Sequence, residues 1–93
     1  MNSYARGNAI TFKVKIKGLD NNYVNADSVK IKIIDPYNDE ILPLTDMEND
    51  DIGKYHYTWQ SSTLNCIGTY KTVVEGKSGL YISRIDPELF KLH

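Results

Sequence analysis

The chain alternates between apolar and polar residues in several short segments. Residues 10–17 place four apolar side chains on one side and, on the other, Thr11, Lys13, Lys15 and Lys17. Residues 29–33 alternate in the same way, with Lys30 and Lys32 on the polar side. Successive side chains of a strand point to opposite faces, so a period of two predicts two half-buried strands.

Proline, glycine and asparagine divide the rest of the chain into further short segments. Pro36 ends the second strand because proline has no N–H for a ladder, and residues 41–44, broken by Pro43, suit an edge strand. Residues 46–51 are acidic and are expected to form a loop. An aromatic strand follows at 53–59 and another strand at 69–75, and we expect these two to share one sheet.

The C-terminal part begins with Gly76-Lys77-Ser78-Gly79, which is typical of a hairpin turn. Residues 80–85 and 89–92 then form one strand or a pair interrupted at Pro87. No segment has a helical period, and turn signals recur every 8–12 residues or so, a pattern typical of a β-sandwich or barrel. The prediction is one all-β domain over residues 1–93 with six or seven antiparallel strands, in which 1–8 are a loosely ordered N-terminal segment.

Composition excludes several classes of protein. Apolar residues make up 41% and charged residues 25% of the chain, which is the balance of an ordinary globular domain. Cys66 is the only cysteine, so no internal disulfide can form. A net charge of −1 argues against nucleic-acid binding, and no apolar run is long enough for membrane insertion.

A short motif points to a family. Residues 51–55 read Asp-Ile-Gly-Lys-Tyr, which resembles the tyrosine corner of immunoglobulin-like domains, in which a phenol bonds the backbone of a corner. The order of strands around it resembles the bacterial and archaeal immunoglobulin-like modules, including macroglobulin-type domains and modules of surface and phage structural proteins. The cysteine pair of antibody domains is absent, and Tyr57 stands at the position of its second member. The resemblance implies a spacer, adhesive or subunit-contact role and no catalytic residue.

Candidate chemistry is sparse. A nucleophilic Cys66 needs a base beside it, and the only histidines are His56 and His93. Without a nucleophile–base pair, a phosphate loop or a paired-histidine metal motif, we predict no enzyme, no cofactor and no catalytic or metal-binding residue. Two alternatives stay open: weak calcium binding by Asp46, Glu48, Asn49, Asp50 and Asp51, and carbohydrate binding by the tyrosines Tyr4, Tyr23, Tyr37 and Tyr81.

Charge gives the remaining hypothesis. If the first two strands are neighbours, their lysines form one outward surface. Together with Tyr37, these lysines are the predicted contact surface, which consists of Lys13, Lys15, Lys17, Lys30, Lys32 and Tyr37. Residues 35–51 contain seven carboxylates and no basic residue. If these lie away from the lysines, the molecule is dipolar. The sequence therefore favours a non-catalytic immunoglobulin-like module that contacts a protein partner or itself within a larger assembly, such as a microbial surface protein or a virion.

Overall fold

The structure, a computed structural model, describes residues 2–18, 20–78 and 81–93, with the backbone alone for 81–87. Its strands are β1 (Asn2–Tyr4), β2 (Ala9–Lys15), β3 (Ser28–Ile34), β4 (Glu40–Asp46), β5 (Glu48–Asp51), β6 (Lys54–Gln60), β7 (Gly68–Ser78) and β8 (Tyr81–Leu92). The described residues contain no helix long and apolar enough to cross a membrane. The all-β class and the absence of a disulfide are confirmed, and Cys66 is a free thiol.

The strands form two sheets. The five-stranded sheet has the order β1-β8-β7-β3-β4, and the three-stranded sheet has the order β2-β6-β5. β1 runs parallel to β8, whereas the other neighbouring strands are antiparallel. β4 and β5 lie in different sheets with only Met47 between them. The buried Met47 donates its N–H to the carbonyl of Val29, 2.8 Å away, which anchors this crossing on β3.

Both sheets contribute to one hydrophobic core. Ile31, Ile33 and Tyr70 of the five-stranded sheet are fully buried, as expected for the apolar sides of alternating strands. The ring of Phe12 on β2 lies 5.3 Å from the ring of Phe90 on β8, so side chains of the two sheets are in direct contact. Phe90 also stacks on Tyr70 at 5.3 Å.

Several predictions about the strands are wrong. The described residues contain eight strands rather than six or seven, partly because the acidic residues 46–51 complete β4 and form β5 instead of a loop. β6 and β7 belong to different sheets, although their sequences suggested one. The strands are not all antiparallel, since β1 runs parallel to β8. The C-terminal residues form a single strand, β8, which is one of the two predicted alternatives, and β7 continues through Ser78. Gly79, in the predicted hairpin turn, lies outside the described residues.

Candidate functional site

The five lysines of the predicted contact surface do not form one surface. Lys13 and Lys15 are exposed on β2, in the three-stranded sheet, whereas Lys30 and Lys32 are half-buried on β3, in the five-stranded sheet. The assumption that these two strands are neighbours is therefore wrong. Local alternation identifies which side chains of a strand share a face, but it does not identify the strand's neighbours.

The two lysines of β2 face other basic side chains. In the register of β2 with β6, Lys13 lies opposite His56 and Lys15 lies opposite Lys54. Lys15 and Lys54 are like charges directly opposite each other, an arrangement that destabilises a sheet. Among the described residues, no ion pair joins Lys13 or Lys15 to a carboxylate. This strand therefore presents two exposed ammonium groups without a direct carboxylate partner.

His56 contacts two acidic residues of β5. Its Nε2 lies 3.0 Å from a carboxylate oxygen of Glu48, and its Nδ1 lies 2.5 Å from one of Asp50. These carboxylates therefore lie in the same sheet as the lysines of β2, with β6 between them. On the other sheet, Lys30 lies opposite Asp46. The condition for a dipolar molecule is therefore not met by Asp46, Glu48 and Asp50, which lie in the same sheets as the lysines.

Lys17 takes part in a different contact, just beyond β2. The ammonium groups of Lys17 and Lys54 each lie 5.2 Å from the centre of the Tyr23 ring, within the range of a cation–π interaction. A single bridge also pairs Lys17 with Tyr23. Tyr23 is thereby held between two cations at the end of β2, which extends the basic character of this edge.

Among the described strands, none lies beside the outer edge of β2. Asn8 accepts a hydrogen bond from the N–H of Ser61, and Ile16 donates its N–H to the carbonyl of Gly53. The register between these two pairs is unbroken, so even-numbered residues of β2 bond to β6. The backbone N–H and C=O groups of Thr11, Lys13 and Lys15 therefore point away from β6, toward the free edge.

A groove lies between this edge and β1. It has a volume of about 240 Å³, and residues of β1, β2 and β8 line it. Tyr4, Phe12, Leu89 and Phe90 contribute apolar atoms to its lining, which is nevertheless more polar than apolar, and Lys13 and Glu88 add charge of both signs. β1 and β2 are edge strands of different sheets, so the groove is a seam between the two sheets. The opposite seam differs, since there β4 passes directly into β5.

The acidic segment proposed for calcium does not converge on one point. Glu48 and Asp50 contact His56, whereas the amide of Asn49 donates to the carbonyls of Asp51 and Lys54 at 2.8 and 3.1 Å. Among the described residues, no group of three or more His, Cys, Asp or Glu side chains could hold a metal ion.

The tyrosines proposed for carbohydrate are dispersed. Tyr4 contacts Phe90 edge-on at 6.2 Å, and Tyr23 lies between its two lysines. Tyr37 is 75% exposed in the β3–β4 turn, at the end of the molecule where Leu64 is 93% exposed and Ile67 is 59% exposed. The side chain of Tyr81 lies outside the described part of the chain.

The phenol of Tyr55 bonds the backbone, but not at the place that the motif suggested. Its oxygen accepts the N–H of Ala26 at 3.1 Å, which joins β6 to the segment before β3. The motif itself lies in the β5–β6 turn, within one sheet. A Cβ on Gly53 would lie 2.5 Å from the carbonyl oxygen of Ile16, and Gly53 has φ +70°, which explains the glycine.

Tyr70 has the geometry that sequence reasoning assigned to Tyr55. Its hydroxyl donates to the carbonyl of Cys66 at 2.7 Å, four residues upstream, where the chain crosses from β6 in one sheet to β7 in the other. The thiol of Cys66 also lies 3.3 Å from this hydroxyl. Burial, the hydrogen bond with Cys66 and the charge of Asp35 raise the pKa of the Tyr70 phenol. The signal was Gly68-Thr69-Tyr70, a second Gly-x-Tyr at a strand start.

Comparisons with known proteins add no assignment. No protein-family model matches the chain, and no curated protein matches its sequence. Conclusions about function therefore depend on the geometry described above.

Proposed function

We propose that the chain is a non-catalytic immunoglobulin-like module that mediates protein contacts within a larger assembly, such as a microbial surface structure or a virion. The observation that carries the proposal is the basic edge of β2. There, Lys13 and Lys15 are exposed, Lys15 faces Lys54, and neither lysine forms an ion pair with a described carboxylate. Exposed, unpaired charge of one sign favours association with a surface of the opposite sign.

Strand order supports the immunoglobulin-like part of the proposal. In such domains a central strand of one sheet lies between the third and the last strands, as β7 lies between β3 and β8 here. The Tyr70–Cys66 hydrogen bond corresponds to the tyrosine corner that precedes this strand. Two residues later, where antibody domains have a cysteine, Thr72 is buried and bonds the carbonyl of Glu88 instead.

The contact role can be tested in the cell of origin. The tagged chain is extracted gently and treated with a zero-length reagent that joins amines to carboxylates, and the linked peptides are identified by mass spectrometry. We expect Lys13 and Lys15 to be linked to carboxylates of a single partner protein, because both are exposed and neither forms an ion pair with a described carboxylate. Recovery of the chain as a free monomer, with only internal links, would overturn the proposal.

A ligand panel distinguishes this function from calcium or carbohydrate binding. A ligand that binds only the folded state raises the melting temperature in a saturable way. Neither calcium nor the members of a glycan panel are expected to do so, because the carboxylates and tyrosines are dispersed. A saturable shift with either would favour the ligand-binding alternative.

A further inference from the structure

We propose that the free edge of β2 binds an extended, acidic segment of the partner as an added strand. This inference depends on the proposed contact function and specifies its geometry. The partner's backbone would bond the outward N–H and C=O groups of Thr11, Lys13 and Lys15. Its carboxylates would lie opposite the lysines, and its alternate apolar side chains would point toward the groove beside Phe12.

β2 is the edge best suited to strand addition. The other edge strands carry features that prevent pairing: β1 has three residues, β5 has four and a register shift, and β4 contains Pro43 and two register shifts. β2 has seven residues in unbroken register with β6 and contains neither proline nor glycine. Only the positive charge of its lysines disfavours pairing with another strand, and the carboxylates of an acidic strand would attract those lysines.

The charge of β2 indicates which kind of strand would bind its free edge. Addition of a second copy's β2 to this edge would bring the lysines of both copies together, which is unfavourable. A strand with carboxylates on alternate residues would instead neutralise Lys13 and Lys15 and relieve the repulsion between Lys15 and Lys54.

A peptide probe tests the proposal by NMR hydrogen exchange. The probe is the capped heptapeptide Glu-Val-Glu-Val-Glu-Val-Glu. One control replaces each glutamate with lysine, and the other has the same composition arranged as Glu-Glu-Glu-Glu-Val-Val-Val. With the alternating acidic probe, exchange of the N–H groups of Thr11, Lys13 and Lys15 should slow by about tenfold or more, because each gains a hydrogen bond. Phe12 and Val14 should be unaffected, since they already bond β6.

A matched pair of variants separates backbone pairing from charge. Lys13→Ala removes the charge and keeps the N–H, whereas Lys13→Pro removes both, at a position whose N–H does not bond β6. Lys13→Pro should bind the probe at least about tenfold more weakly than Lys13→Ala. Retained β-sheet circular dichroism shows that both variants fold. Binding should also weaken between about 0.01 M and about 0.15 M salt.

Three results would overturn the added strand. The first is that the acidic probe does not slow hydrogen exchange at Thr11, Lys13 and Lys15. The second is that the two Lys13 variants bind the probe equally well. The third is that exchange is slowed without peptide, and increasingly so with protein concentration and salt, which would indicate pairing of two copies. If one of these occurs while Lys13 and Lys15 still cross-link to a partner in the cell, the contact function stands and only the strand geometry fails.

Discussion

Tyr70 provides a sharp test of how the two sheets are connected. Tyr70→Phe removes only the hydroxyl that donates to the carbonyl of Cys66 at 2.7 Å, while the ring keeps its place beside Trp59 and Phe90. Tyr70 is fully buried, so water cannot easily replace the lost donor. We expect a loss of about 1–2 kcal/mol in the free energy of unfolding at pH 7, the usual result of leaving one buried partner unsatisfied.

The pH dependence of the free energy of unfolding provides a second, independent test of the Tyr70 hydrogen bond. The raised pKa of the folded phenol means that the unfolded chain ionises first, near the ordinary value of 10.0. Stability from the protonated phenol is therefore fully present below pH 10 or so, and it is lost above it at up to about 1.4 kcal/mol per pH unit. The variant lacks this loss, so the stability difference between the two proteins should narrow from pH 9 to pH 11.

The assay is urea denaturation followed by the fluorescence of Trp59, at pH 7, 9, 10 and 11. Tyr55→Phe is the matched comparison at pH 7, because it removes a hydroxyl whose bond to Ala26 is longer, at 3.1 Å. We expect that variant to lose about 1 kcal/mol or less. Equal midpoints for wild type and Tyr70→Phe at pH 7, or a difference that widens in alkali, would refute the reasoning.

Three further substitutions test the packing. Gly53→Ala should destabilise by more than about 2 kcal/mol in the same assay, since the added Cβ meets the carbonyl of Ile16 in a left-handed turn; an unchanged midpoint would contradict that contact. Phe90→Ala should cost about 3–5 kcal/mol, because the ring is buried among four aromatic rings of both sheets. Trp59→Ala should cost less than Phe90→Ala, since the indole is only partly buried; the reverse order would indicate that Trp59 is central to the core.

Local pattern predicted much of the fold. The alternation of 10–17 and 29–33 and the proline at position 36 locate β2 and β3 within two residues of their ends, because these signals depend only on neighbouring residues. Pro43 also placed β4 correctly at a sheet edge. Pairing is different, since the strand that lies beside β2 is β6, whose partner residues are 39–51 positions away in sequence.

The same limit explains what was missed at the candidate site. Asp46 and Glu48 belong to strands because β3 and β6 supply their hydrogen-bond partners, although acidic residues disfavour strands. The five lysines were grouped because their strands are consecutive, yet those strands belong to different sheets. Only the three-dimensional register shows that Lys15 faces the like charge of Lys54, and that Lys13 faces His56.

Charge reversal on β2 tests the central claim most directly. The measurement is the fraction of the chain that co-fractionates with its assembly in a gentle extract of the cell of origin, at low and at physiological salt. Lys13→Glu with Lys15→Glu is compared with Lys71→Glu with Lys91→Glu, which changes the net charge equally on exposed positions of the other sheet. The account predicts that the β2 pair loses the association and that the control pair keeps it, with weakening by salt in the wild type. Equal association of both double variants at both salt concentrations would contradict it.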